Sequence, residues 1–354
     1  MEPVKAQFCL ECESLNLSRK DFEQSRNDKP TPSLDVRSGT FAQLKSSALT
    51  CDLCRLVLHA YSRTLRNDRV AFQDETEWKL CWCWSTFGYS LRPPSFHEGG
   101  SALFPELKDQ FTNRDHGIFL IDGQDTKKIL RAREIPPEID VEMLKGWVET
   151  CHEDHYGMCG EFGKASIGIG PPPEQLRCIN VTKHCLEYIS MEKEYVALSY
   201  VWGQNNRPLT TTANFHKFSV PGAFLDVRLP QTIADAMEVT NKLGYEYLWV
   251  DSLCIIQDHT QEVAHLIKQM SGIFGHADLT IIAASGTSVQ AGLSGWGPTA
   301  RNLRTTKPCN IGQDLRVGVL PNFNIELLES PYSSRGWTYV ALQYSHAVIN
   351  ASLT

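Results

Sequence analysis

Apolar and polar positions alternate in two rhythms along this chain. In "FAQLKSSALTCDLCRLVLHAYSRTL" (41–65) the residues Phe41, Leu44, Ala48, Cys51, Leu53, Leu56 and Ala60 recur at helical spacing. That predicts a helix capped by Ser38 or Thr40. "KLCWCWSTFGYSL" (79–91) and "GIFLI" (117–121) are dense in aromatic and branched residues and predict strands. "PSFHEGGSALFPELKDQFTNRDH" (94–116) between them reads as an exposed loop. "DVEMLKGWVETCHEDH" (140–155) predicts a helix, and "SIGIGPPPEQ" (166–175) reads as a linker by its Gly and Pro content.

From residue 195 the rhythm is clearest. "YVALSYV" (195–201) predicts a buried strand and "PQTIADAMEVTNKLG" (230–244) a helix with Pro at its start and Gly at its end. "YLWVDSLCII" (247–256) predicts a strand, or a strand and turn. "TQEVAHLIKQMSGIFGHA" (260–277) predicts a second helix and "LTIIAAS" (279–285) a third strand. Strands and helices in alternation, with unbroken apolar strands, predict an α/β fold: a parallel sheet flanked by helices. Ligands of such sheets sit beyond the carboxyl ends of the strands. Ser199, Tyr200, Trp202 and Gly203, then Asp251 and Ser252, then Ser285 and Gly286, fall at those ends. Punctuation divides the chain into a Cys-rich, helical N-terminal module (1–66), a mixed α+β region with its linker (67–190), the α/β region (191–339) and a tail (340–354).

The 354 residues are 42% hydrophobic and 21% charged, as in a globular protein, and long enough for two or three domains. The net charge is −7 and basic residues are scattered, as in "TKKILRARE" (126–134), which argues against a nucleic-acid partner. The first residues lack an apolar core of signal-peptide length, and the longest apolar runs are too short for a bilayer. The expectation is a cytoplasmic protein without membrane contact.

Twelve cysteines in a reducing compartment suggest metal binding or burial rather than a disulfide framework. Cys9-Leu-Glu-Cys12 and Cys51-Asp-Leu-Cys54 offer four thiolates, the soft set that a structural zinc takes in tetrahedral geometry. Alternatively, Cys51 and Cys54 face the core from an amphipathic helix. In "CHEDHYGMC", Cys151, His152, His155 and Cys159 make a second possible ligand set, against a simple helix-end role. Walker and Gly-x-Gly-x-x-Gly loops are absent, and "GLSG" (292–295) is not a nucleophile elbow. Cys254 sits in "LCII" and reads as an inert core thiol. Asp251 either orients a ligand or caps the next turn.

"YVALSYVWGQ" (195–204), "PQTIADAMEVTNKLGYEYLWVDSLCIIQD" (230–258), "AGLSG" (291–295) and "SSRGWTY" (333–339) resemble, in order and separation, the blocks of the fungal heterokaryon-incompatibility (HET) domain. "SSALTCDLCRL" and "WVETCHEDHYGMC" resemble segments that often precede it. The resemblance implies a fungal protein of non-self recognition that promotes programmed cell death by signalling-type association with protein partners or itself. The HET domain is similar to the Toll/interleukin-1-receptor (TIR) class of α/β domains. Some of these cleave NAD with a glutamate four residues after a tryptophan, and HET domains commonly read RGWTxQE there. Such a carboxylate would stabilise oxocarbenium character as the nicotinamide–ribose bond breaks.

Here the position four after Trp337 is Ala341, and Val340 stands where the glutamine would be. The resemblance therefore implies no catalytic residue in this chain, and NAD cleavage is the alternative reading. It implies an incomplete HET segment (191–339) and a tail (340–354) foreign to the family, from an unspliced intron or a real truncation. The positions that would meet a NAD-like ligand are Ser199, Tyr200, Trp202, Gly203, Asp251, Arg335 and Trp337. Against that, Tyr200, Trp202, Trp249 and Trp337 are apt for packing, and Arg335 either clamps a phosphate or pairs with Asp251.

Overall fold

The computed structural model describes residues 7–22, 35–64, 73–85, 100–107, 117–121, 136–154, 173–203, 208–299, 301, 308–311, 315–320, 327, 330–334, 341, 345 and 348–350. The chain forms two compact units. Unit 1 comprises Met1–Ile135 with Arg304–Ile325, and unit 2 comprises Pro136–Leu303 with Glu326–Thr354.

Unit 1 is built on an antiparallel sheet of β1 (Asp35–Thr40), β2 (Glu77–Ser85), β3 (Gly100–Leu107), β4 (Gly117–Leu120), β10 (Cys309–Ile311) and β11 (Leu315–Leu320), in the order β1-β2-β3-β4-β11-β10. Besides a short turn of helix at Arg19–Phe22, its helices are α1 (Leu10–Ser14), α2 (Phe41–Ser47) and α3 (Asp52–Thr64). The sheet buries Trp78, Leu80, Leu103, Ile118 and Val317 against Phe41, Leu44, Leu53, Leu56 and Tyr61 of the helices. Removing each such side chain from water contributes about 1.5–3 kcal/mol. The Tyr61 hydroxyl is placed to donate to the carbonyls of Lys79 (2.9 Å) and Glu106 (2.7 Å), which pins α3 to β2 and β3.

Two expectations change here. The continuous helix from residue 41 is two helices separated by a turn at Ala48–Thr50. Thr40 is the cap: its hydroxyl accepts from the Gln43 amide while the Gln43 side chain accepts from the Thr40 amide. The expected loop at 94–116 contains β3, paired with β2 from Trp78↔Leu107 to Ser85↔Gly100. Pro105 disguised it, since proline cannot donate to a ladder. It is tolerated because, among the described residues, β3 pairs with β4 at Leu103↔Ile118 alone.

Unit 2 carries β5 (Gln175–Asn180), β6 (Cys185–Ser190), β7 (Val196–Tyr200), β8 (Tyr247–Trp249), β9 (Leu279–Ala283) and β12 (Val348–Asn350), in the order β12-β9-β7-β8-β5-β6. β12, β9, β7 and β8 run parallel to one another, whereas the β5–β6 hairpin joins β8 antiparallel. The sheet is therefore mixed, not the all-parallel sheet expected. The short turn at 181–184 allows only an antiparallel hairpin, because a parallel return needs a long crossover. The helices are α4 (Val141–Asp154), α5 (Gln231–Lys242), α6 (Asp251–Cys254), α7 (Thr260–Lys268) and α8 (Met270–His276). The helix expected over 260–277 is thus divided at Gln269, whose φ of −98° and ψ of 3° leave the helical range.

β9 is buried throughout because both its faces are covered. Ile281 packs with Trp249 and Phe274 in the larger core, while Ile282 packs with Leu327 and Tyr332 on the other side. Trp249 and Phe274 meet edge to face, 5.5 Å between centroids. Two parts of the stretch after residue 340, expected to be foreign to the family, join this unit. Ala341 is fully buried in it, and Val348↔Thr280 to Asn350↔Ile282 pair in register.

Candidate functional site

Unit 1 gathers Cys9, Cys12, Cys51 and Cys54 so that their sulfurs all lie within 4.8 Å of one another. Local structure explains the convergence. Cys9 and Cys12 flank the start of α1, and the break between α2 and α3 puts Cys51 just before α3 and Cys54 in its first turn. Cys9 Sγ and Cys12 Sγ lie 3.8 and 3.6 Å from Cys54 Sγ. A tetrahedral zinc–thiolate centre with bonds of about 2.3 Å sets its sulfurs about 3.8 Å apart. The donor set and spacing fit such an ion. Cys12, Cys51 and Cys54 are buried, as they would be facing a core, yet they point at one another.

Crowding separates the thiols electrostatically. Contacts with Cys51 and then Cys54 hold the Cys12 thiol far above its ordinary range, and contacts from Cys12 and Cys54 hold Cys51 far below it. Arg37 reaches in from β1, its Nη1 2.7 Å from Cys12 Sγ and 2.9 Å from Cys54 Sγ, and its other terminal nitrogen pairs with Glu11. Sequence reasoning missed Arg37. A lone arginine in "SLDVRSGT" carries no spacing signal, and only the pairing of β1 with β2 brings it to the cysteines.

In unit 2 four of the strand-end residues come together. Ser199, Tyr200, Trp202 and Asp251 line a cleft of ≈ 210 Å³ whose apolar wall includes Ile267, Met270 and Phe274. Trp202 Nε1 donates to both Asp251 oxygens, at 3.0 and 2.8 Å. Asp251 Oδ1 also accepts from the amide of the next residue, Ser252, at 2.7 Å, so the carboxylate orients Trp202 from the first residue of α6, whose N-cap is Val250. The Tyr200 hydroxyl donates to Ser252 Oγ (2.8 Å), and Ser199 Oγ is 2.5 Å from the Tyr332 hydroxyl. Gly203 has φ +73°, and a Cβ there would lie 2.7 Å from Ser288 Cβ, so the chain passes only as glycine. Trp249 packs fully buried in the core.

A second set of contacts ties α5 to the loop after β9. Thr232 and Asp235 lie three apart on one helix face. Thr232 Oγ1 accepts from the Gly292 amide (3.1 Å) and Asp235 Oδ2 from the Leu293 amide (2.8 Å). One turn further, Glu238 accepts from Trp296 Nε1 at 3.1 Å. "QTIADAME" and "AGLSGW" are thus two halves of one hydrogen-bonded unit, which the separate strings do not reveal. Burial raises the Asp235 carboxyl above the usual carboxylate range.

The other candidates resolve as follows. Cys254 is buried and its thiol is pushed up to about 12 by burial, in keeping with an inert core thiol. His152 Nε2 lies 3.1 Å from Asp278 Oδ1, while His155 and Cys159 lie outside the described residues. Arg335 and Trp337 also lie outside them. Ser285 is exposed and Gly286 buries no side chain; neither lines the cleft.

Residues 195–340 match the family described as Heterokaryon incompatibility protein (HET). The chain is 26% identical over 144 residues to Heterokaryon incompatibility protein 6, OR allele, of Neurospora crassa. That alignment covers 34% of this chain and 20% of the relative, so the similarity spans about a fifth of the relative's length. No solved structure matches this chain.

Proposed function

Because residues 195–340 are those of the heterokaryon-incompatibility family, this is a HET-domain protein, and we propose that it promotes programmed cell death in fungal non-self recognition. It acts by association, with protein partners or with further copies of itself, in the cytoplasm and without a nucleic-acid partner. Among the described residues no helix is long and apolar enough to cross a membrane.

The observation that carries this reading is how the family's blocks are used. Trp202 with Asp251, Tyr200 with Ser252, and α5 with the 292–296 loop hold one another. They support a rigid surface better than a set of reacting groups. In unit 1, Cys9, Cys12, Cys51 and Cys54 hold a structural zinc, which links α1 to the start of α3.

The alternative is TIR-like cleavage of a NAD-like nucleotide. The parallel block β12-β9-β7-β8 and the cleft at its carboxyl ends favour a ligand there, met by Ser199, Tyr200, Trp202 and Asp251, with Gly203 next to Trp202 in the chain. Arg335 and Trp337 would complete that set. The position where the resemblance sets the carboxylate is Ala341, whose methyl is in the core.

Inducible expression of the full chain in a fungal host, scored for viability and for cellular NAD, tests both readings. Death without loss of NAD is the expected result. Death that follows NAD loss would move the conclusion to the enzyme, and unimpaired growth at full expression, alone and after fusion with an incompatible strain, would refute a death-promoting role.

A further inference from the structure

Arg37 is a cation in an unusual place. It projects from β1 with its side chain only 8% exposed, and its guanidinium lies 5.5 Å from the Trp78 ring centroid. Its Nη1 contacts two sulfurs, its other terminal nitrogen pairs with exposed Glu11, and its Nε is buried without a hydrogen-bond partner among the described residues. A buried guanidinium needs strong acceptors. Neutral thiols are weak ones, whereas thiolates make charge-assisted bonds. Without a metal the crowded Cys12 and Cys54 thiols are held neutral, whereas a bound metal deprotonates ligating cysteines, so the two N–H···S contacts of Arg37 become strong only in the metal-loaded centre.

Four thiolates around a divalent ion leave a net charge of −2, and three of these four cysteines are buried. A buried net charge is costly unless paired. Arg37 supplies one positive charge through two N–H···S contacts, and Glu11 holds the far side of its guanidinium.

We propose that Arg37 is the outer positioning residue of the zinc–thiolate centre. It offsets the centre's charge and joins metal loading to the docking of β1, so that the ion fastens the two Cys-x-x-Cys knuckles to the sheet as well as to each other. This inference rests on the zinc reading above. Outer partners of metal ligands change affinity by about 10–100-fold when removed.

The test uses the full chain as parent, with Arg37→Met and Arg37→Lys. Elemental analysis gives the metal content, and competition with a chromophoric chelator gives zinc affinity. Replacement by Co²⁺ gives the thiolate-to-metal charge-transfer band. One zinc per parent chain is expected, with affinity about 10–100-fold weaker in Arg37→Met and a smaller loss in Arg37→Lys, which keeps the charge but not the fork. The Co²⁺ band should move to lower energy in Arg37→Met, because sulfur relieved of N–H donors gives up charge more readily. A merely structural arginine would not move it. If Arg37→Met does not fold, Arg37→Lys carries the same readouts.

Zinc in the parent with affinity and band unchanged in both variants would overturn the role of Arg37 alone. A parent that binds neither zinc nor Co²⁺ would overturn the zinc reading, and this inference with it.

Discussion

Replacing Asp235 by alanine should open the 292–296 loop while leaving the rest of unit 2 folded. Asp235 is 3% exposed and accepts from the Leu293 amide (2.8 Å) and Gln231 Nε2 (2.6 Å). Alanine leaves the Leu293 N–H buried and unpaired, a cost of about 1–3 kcal/mol. An opposing effect reduces it: burial disfavours the ionised carboxylate, and alanine removes that charge. The net loss should be about 1–2 kcal/mol, or roughly 5–30-fold in the local opening equilibrium. Amide hydrogen exchange over 286–299 reads this directly, and it avoids treating a two-unit chain as a single unfolding transition.

The pH dependence has a definite sign. The folded pKa of Asp235 lies above its unfolded value of about 3.9. Its ionisation therefore contributes no cost below the unfolded value, and the cost grows as pH rises through the folded pKa. The penalty of the alanine variant should be largest in acid and smaller at neutral pH. Unchanged exchange at Gly292 and Leu293 in Asp235→Ala would refute the reasoning, as would a penalty that grows towards neutral pH.

Three further outcomes are expected. Arg177→Met removes a guanidinium packed against the Tyr188 and Phe215 rings and bonded to Glu262 and the Cys254 carbonyl. Breaking a buried pair costs about 3–5 kcal/mol, and partial exposure of Glu262 reduces this to about 2–3; an unshifted melting transition would contradict it. Ala341→Glu forces a carboxylate into the core and should cost several kcal/mol; a variant as soluble and heat-stable as the parent would show that the position is not packed as described. Asp258 is held below its ordinary range by the Thr212 hydroxyl and then the Thr212 amide. Its contribution is present above the unfolded value and lost as pH falls through the folded one, so Asp258→Asn should flatten the acid limb of stability, measured by acid titration of tryptophan fluorescence, and an identical limb would rule this out.

Much of unit 2 is legible in the sequence because its elements are local. The strands at 196–200 and 279–283 are buried along their whole length, and α5 starts just after Pro230 and ends before Gly244 as its punctuation suggests. What the sequence hides depends on partners far along the chain. β3 needs eight partners on β2 to overrule Pro105. The break at 48–50 becomes visible only when Cys51 is seen to face Cys12 rather than the core. Ser199, Tyr200, Trp202 and Asp251 lie around one cleft because strand ends of one parallel block lie side by side. Their bonds to one another were not foreseeable, because hydrogen-bond geometry between positions fifty residues apart leaves no periodic trace.

The discontinuity of unit 1 bears on how the protein is made. β4 ends at Leu120, but its neighbour β11 begins at Leu315. At roughly 5–20 residues per second on the ribosome, the edge of β4 waits roughly 10–40 s for its partner while the whole of β5 to β9 emerges. An unpaired strand edge invites the wrong neighbour, so the newborn N-terminal half is the part that chaperones must shelter. The same order decides how the protein can be cut. A fragment excised at residue 191 would carry β10 and β11 away from the sheet they complete, so a faithful dissection would remove the inserted strands and helices and rejoin the flanking pieces.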